Sequence, residues 1–199
     1  MSILFFDTET TGFAKPGLPT GHEDQPHCVQ LAAILTDEHG QEEACANVII
    51  RPDGWTVPAG AAAIHGITTE KAARYGIREQ VASVLFYDLT SRADLLVAHN
   101  IQFDRQIVAT MYARAKRSEW KLPSAQFCTM EAAAPLVNLP PTPRMRAAGI
   151  IKPKAPKLEE CIQHFYGETL EGAHDALVDV RACARIYFEM KRMAKRMRK

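Results

Sequence analysis

Ile3-Leu4-Phe5-Phe6-Asp7-Thr8-Glu9-Thr10-Thr11-Gly12 is the stretch on which the fold turns. Four apolar residues followed by an acid predict a buried strand. Residues two apart on a strand point the same way, so Asp7 and Glu9 present two carboxylates on one side. They do so where the apolar run stops. Thr10-Thr11-Gly12 then lets the backbone turn and come close to a ligand. Capping of a turn by one of the two acids is the plainer alternative.

Outward from this strand, residues 13–28 hold three prolines and two glycines and read as a loop. Residues 29–35 and 44–50 read as strands joined by a turn at His39-Gly40, which gives an antiparallel meander of three. Residues 68–92 are helical in two pieces broken near Gly76. A short apolar strand follows at 94–98, and a helix over 101–117. Residues 126–129 form a last strand before a short helix. Six prolines between 135 and 156 predict a long loop without lasting regular structure. Short helix 158–165 and a final helix from about 174 close the chain. The order predicts an α/β domain with a mixed sheet.

A length of 199 residues suits one domain with a full core. The net charge of +1 excludes a basic nucleic-acid coat. Residues 191–199 carry six Lys/Arg and no acid, so 1–190 sum to about −5. That divides the chain into a domain, 1–190, and a basic tail, 191–199. The tail could grip nucleic acid or simply end a helix where positive charge suits the dipole. Five cysteines without a C-x-x-C pair exclude a zinc ribbon and a thioredoxin-type site. They predict free thiols, several in the core, in the reducing cytoplasm. Neither a signal peptide nor a membrane span is expected. The main rival catalytic signatures, G-x-x-x-x-G-K-[ST], G-x-S-x-G and H-E-x-x-H, are absent. Trp55 and Trp120 stand alone and read as packing residues.

Three more polar groups complete the pattern. Asp104 precedes Ile107, Val108 and Met111 by three, four and seven residues, which puts it on the apolar face of its helix. A carboxylate there needs a cation, a hydrogen-bond cage, or exposure in the first turn. Asp179 lies at the edge of another apolar face, and pairing with Arg181 is its plain alternative. His174 is about 140° around a regular helix from Asp179. The two could converge if His174 sits in a turn after Gly172. Carboxylates gathered at strand and helix ends can hold two hard cations, Mg²⁺ or Mn²⁺. Such a pair clamps the oxygens of a phosphodiester displacement, and a histidine can take the proton of the attacking water.

D-T-E-T-T-G (7–12), H-N-I-Q-F-D (99–104) and H-D-A-L-V-D (174–179) together resemble the three motifs of the DnaQ-like 3′–5′ exonucleases, DEDDh subgroup. The likeness runs from residue 3 to about 188. It implies an RNase H-like fold and hydrolysis from a 3′ end. By the resemblance, Asp7, Glu9, Asp104 and Asp179 bind two Mg²⁺ or Mn²⁺ ions, Asp7 bridges them, and His174 is the general base. It selects Asp179 over Asp175 and His174 over His99. It places Thr8, Thr10, Thr11 and Gly12 along the terminal nucleotide, with Ile64 and His65 beside its base and sugar. It makes Asn100 and Phe103 a brace for Asp104. The loop at 13–28 is longer than the family's usual connection and lies near the expected substrate entrance.

Between Glu131 and Glu159 there is no acid, while Arg144, Arg146, Lys152 and Lys154 are basic. A segment of this kind can follow a phosphate backbone or be a solvated loop. The expected activity is release of nucleoside 5′-monophosphates from DNA, single-stranded DNA being favoured, in repair, proofreading or end trimming. RNA 3′-end trimming is the alternative, and a non-catalytic nucleic-acid binder the competitor from another class. No extended segment for docking a polymerase follows the last predicted helix, so a polymerase partner is not indicated.

Overall fold

The computed structural model of the chain describes residues 1–197. Strand β1, Ile3–Thr10, runs four residues beyond its apolar start and carries both acids. It pairs antiparallel with β2, Cys28–Thr36, which pairs antiparallel with β3, Glu42–Ile49. On its other side β1 pairs parallel with β4, Leu95–Ala98, and β4 pairs parallel with β5, Gln126–Cys128. The order β3-β2-β1-β4-β5 is the expected mixed sheet behind an antiparallel meander.

Every residue of β2 is buried, because helices cover both faces of the sheet. Leu4 and Phe6 face one core with Phe86, Ile107 and Met111. These come from helices α3, Glu79–Thr90, and α4, Ile101–Arg114. Ile3 and Phe5 face the other core with Val180, Cys183 and Tyr187 of the last helix, α8, Ala176–Arg196. Each fully buried side chain of this size contributes about 1.5–3 kcal/mol relative to exposure. The period of two carries this division forward. Asp7 and Glu9 lie on the α8 side of β1, and Thr8 lies on the α4 side.

The broken helical stretch resolves into α2, Thr69–Tyr75, and α3. At Gly76 between them a Cβ would collide with the Ala72 carbonyl and the Arg51 backbone. Ahead of them stands a helix that the sequence reading did not anticipate, α1, Ala59–His65. Helix α4 stops at Arg114, three residues short of expectation, and Lys116 turns left-handed at φ 56°.

The proline-rich segment is more ordered than predicted. Helix α5, Thr129–Val137, runs through Pro135, and α6, Pro143–Ala147, begins on a proline. Proline is tolerated at that first helical position, where its missing N–H has no partner to lose. Helix α7, Leu158–Tyr166, packs Cys161 and Ile162 against Ala182, Ile186 and Met190 of α8.

Most of the basic tail continues α8, while Arg198 and Lys199 lie outside the described residues. All five cysteines are free thiols, with Cys28, Cys161 and Cys183 buried. Trp55 stacks on His27 and Trp120 on Tyr87, as packing residues. No helix among the described residues is long and apolar enough to cross a membrane.

Candidate active site

The site forms where β1 ends and α4 and α8 begin. Asp104, in the first turn of α4, is only 2 % exposed. Of the three expected solutions for a carboxylate there, exposure is excluded and a hydrogen-bond cage is built on one oxygen, which leaves room for a cation at the other. Its Oδ1 accepts from the Thr8 hydroxyl at 2.7 Å and the Thr8 backbone N–H at 3.0 Å. Burial pushes the Asp104 carboxyl up to about 7, with the two Thr8 hydrogen bonds pulling the other way.

At the start of α8, Asp175 and Asp179 divide the labour. Asp175 is the N-cap, and its Oδ1 accepts from the N–H groups of Leu177 and Val178 at 3.0 and 3.3 Å. Asp179, one turn on, turns into the site. The chain before the cap makes this possible. His174 adopts φ 69°, a left-handed conformation that costs a non-glycine residue of order 1–3 kcal/mol. In that turn its backbone N–H donates to Asp179 Oδ2 at 3.1 Å. The convergence that regular helical spacing forbids is achieved by leaving the helix. Ligand atoms of Glu9, His174 and Asp179 all lie within 4.8 Å of one another.

The electrostatics of the four carboxyls are shared. Burial raises Asp7 well above the ordinary range, and the charges of Asp104, Asp179, Glu9 and Asp175 add to it. Glu9 is pushed up to about 8 by burial, then by Asp179, Asp104 and Asp175. Asp179 is raised to about 6 by burial, opposed by the His174 N–H. Its Oδ1 is buried without a hydrogen-bond partner among the described residues. Crowded acids with an orphaned oxygen are unfavourable unless protonated or matched by cations. Oxygen donors on three separate elements fit hard divalent ions. His99 belongs to a different network. Its two ring nitrogens contact the Thr129 hydroxyl at 2.9 Å and the Pro156 carbonyl at 3.0 Å, which leaves neither free.

The remaining predicted residues divide. The Thr10 hydroxyl donates to the Gly12 carbonyl at 2.7 Å and closes the turn after β1. Thr11 exchanges hydrogen bonds with the His27 backbone, fixing the base of the following loop. Ile64 is 59 % exposed and His65 is buried. Burial lowers the His65 pKa, opposed by the Thr10 backbone. Thr8 points inward and supplies the brace on Asp104 that was expected from Asn100 and Phe103. Asn100 acts through its backbone, starting α4 at φ 71°, and Phe103 meets the exposed Phe13 edge-on at 6.2 Å. Of the four basic candidates, Lys154 is bound to Glu160 at 2.6 Å, and Arg146 donates to the Pro141 carbonyl. Arg144 and Lys152 are exposed.

Sequence reasoning passed over Gln30. Its Oε1 accepts from Ala176 N–H at 3.2 Å, and its Nε2 donates to Asn47 Oδ1 at 2.9 Å and Asp175 Oδ2 at 3.4 Å. It ties β2 to the start of α8. A lone amide among the apolar residues of the fully buried strand CVQLAAILT was the available signal.

A family model described as exonuclease matches residues 4–187. Among solved structures, Escherichia coli exonuclease I in complex with a dT13 oligonucleotide is 22% identical with a TM-score of 0.76, over 98% of this chain and 42% of that one. The same enzyme with a dA16 oligonucleotide gives 22% and 0.76 over the same shares. A product-bound exonuclease I gives 21% and 0.73, over 96% and 43%. The chain thus spans about two fifths of the exonuclease I chains it matches. No curated protein matches it.

Proposed function

The chain belongs to the exonuclease family (RNase_T), DnaQ-like enzymes of the RNase H-like superfamily, and on that premise we propose that it is a metal-dependent 3′–5′ exonuclease acting on single-stranded DNA and releasing nucleoside 5′-monophosphates. The observation that carries this reading is the meeting of Glu9, His174 and Asp179 within 4.8 Å beside the half-buried Asp7 and the buried Asp104. A site with no reaction to run has no reason to gather so much unfavourable charge. The preference for single-stranded DNA is supported by the fold shared with exonuclease I, whose solved complexes hold dT13 and dA16.

In this mechanism Asp7, Glu9, Asp104 and Asp179 hold two divalent cations, Mg²⁺ or Mn²⁺. Bound there, the ions would stabilise charge on the attacking and leaving oxygens of the displacement. His174, exposed at the rim, accepts the proton of the attacking water. The Asp179 carboxylate fixes the turn that carries it. Thr8 holds Asp104 in place, and Thr10, Thr11 and Gly12 shape the wall along the terminal nucleotide. Ile64 and His65 flank its base and sugar. The catalytic unit is residues 1–190, followed by the basic end of α8, and the free thiols suit the cytoplasm.

The test is an end-specific assay. Single- and double-stranded DNA and RNA, labelled at the 3′ or the 5′ end, are incubated with Mg²⁺ or Mn²⁺. The expected result is immediate release of 3′ label as mononucleotide from single-stranded DNA and a ladder of shortening 5′-labelled strands. Release of 5′ label first, or internal cuts, overturns the direction. Faster loss from RNA replaces the substrate.

A further inference from the structure

The outer side of α4 borders a groove of about 510 Å³ between the loop after β1 and the turn following the helix. Thr20 of the loop forms one wall. Gln102, Arg105 and Gln106 of α4 form the floor, and Trp120 and Lys121 close the far side. The lining holds two cations, Arg105 and Lys121, and no acid. Three arginines of α8 already have carboxylate partners, Arg181 with Glu42, Arg185 with Glu168 and Arg192 with Glu189.

Arg105 is the unusual member. Its Nε is buried and has no hydrogen-bond partner among the described residues, and its guanidinium makes one long bond of 3.4 Å, to Gln102 Oε1. A guanidinium carries five donors that match phosphate oxygens, and leaving them unmatched is costly. It is also the residue next to Asp104, and Gln102 is next to Phe103, which meets the exposed Phe13. The groove begins on the first turn of α4, the turn that carries Asp104, and follows the helix to Ala109 for about 10 Å, at 1.5 Å per residue.

We propose that this groove is a track for the phosphodiester backbone of the strand just 5′ of the nucleotide being removed, with Arg105 as its principal phosphate contact and Lys121 as its second. Gln102 and Gln106 add neutral donors to the same oxygens. The proposal rests on the exonuclease reading above. It supplies what the four-carboxylate site lacks, a positive surface to hold a polyanion beside crowded negative charge.

The experiment measures binding of a short 5′-fluorescent single-stranded DNA by anisotropy, with Ca²⁺ replacing Mg²⁺, across a salt series. The proteins are wild type, R105Q/K121Q and R105K. Losing two phosphate contacts should weaken binding roughly tenfold and reduce the slope of log K against log salt by about 1.4. R105K should keep most of the slope, because it keeps the charge. Degradation of the same oligonucleotide by wild type with Mg²⁺ is followed in parallel. If wild type shortens the strand while R105Q/K121Q retains the wild-type slope, the exonuclease reading stands and the track is overturned. If wild type neither binds nor shortens it, both fall.

Discussion

The Thr8 hydroxyl and the Asp104 carboxylate meet at 2.7 Å across 96 residues of sequence, joining the strand that bears two of the four acids to the helix that bears a third. The Thr8 backbone N–H reaches the same oxygen at 3.0 Å. Thr8→Val keeps the shape and the backbone bond but removes the hydroxyl. Groups that orient a metal-binding carboxylate are worth about 10–100-fold in metal affinity or activity. Calorimetric Mn²⁺ titration and turnover on single-stranded DNA should both fall within that range, and Thr8→Ser should recover them. Wild-type Mn²⁺ affinity in Thr8→Val would remove Thr8 from this role.

His174 and Asp179 allow the catalytic assignment to be separated from the structural one. His174→Ala removes the proposed proton acceptor but keeps the backbone N–H that bonds Asp179. Loss of a general base costs about 10²–10⁴-fold in rate. The expected outcome is that loss with unchanged Mn²⁺-induced stabilisation. Asp7→Ala should abolish both, since Asp7 lies amid the other three acids. A His174→Ala enzyme with near-wild-type turnover would end the general-base assignment.

The raised carboxyl pKa values set a pH dependence of defined sign. Glu9, Asp104 and Asp179 sit at about 8, 7 and 6, against 4.5, 3.8 and 3.8 for unperturbed groups. Between about pH 4 and 8 the folded state holds protons that the unfolded chain has shed. Stability of the metal-free protein is therefore greatest at the acid end and falls as pH rises through that window. Cation binding demands deprotonated carboxylates, so stabilisation by Mn²⁺ grows in the same direction. Thermal melts at pH 5, 6.5 and 8 with EDTA or Mn²⁺ should show the metal-free Tm falling and the Mn²⁺ increment rising. An increment that shrinks with pH would contradict the carboxylate site.

Much of this is legible in the sequence. The apolar run ending at Asp7 identified the central strand, and the alternation beyond it placed Glu9 with Asp7. What spacing could not supply was backbone conformation. His174 and Asp179 cannot share a face of a regular helix, and nothing local in the sequence demands a left-handed histidine. Among the described residues, the cap at Asp175, the Asp175 N–H on the Gly172 carbonyl and the bond to Asp179 hold it there. Helix α1 escaped because AGAAAIH has no apolar stripe, though Gly66 after it was a usable stop signal. Helix α6 escaped because prolines were read as breakers when Pro143 opens the helix. Long-range polar ties such as Thr8–Asp104 and Gln30–Ala176 depend on which elements become neighbours, and the topology settles that.

Arg114 makes the loop after β1 an ordered wall. This side chain, 12 % exposed, donates to the carbonyls of His22, Glu23, Gln25 and Pro26 and to His27 Nδ1. Burial and the nearby Arg114 charge lower His27 to about 4, so its ring stays neutral and can accept that bond. Within the loop, Gln25 bonds the Lys15 backbone in both directions. Arg114→Lys keeps a charge but loses the planar fork that reaches several carbonyls at once. Stranding buried carbonyls should cost about 2 kcal/mol, or roughly 4–8 °C in Tm for a domain of this size. Amide exchange across residues 13–26 should quicken while β1 stays protected. The loop carries none of the carboxylates and its Thr20 lines the proposed backbone track, so KM for single-stranded DNA should rise more than kcat falls. An Arg114→Lys enzyme with unchanged exchange in the loop would show that Gln25 and the Thr11–His27 pair suffice to hold it.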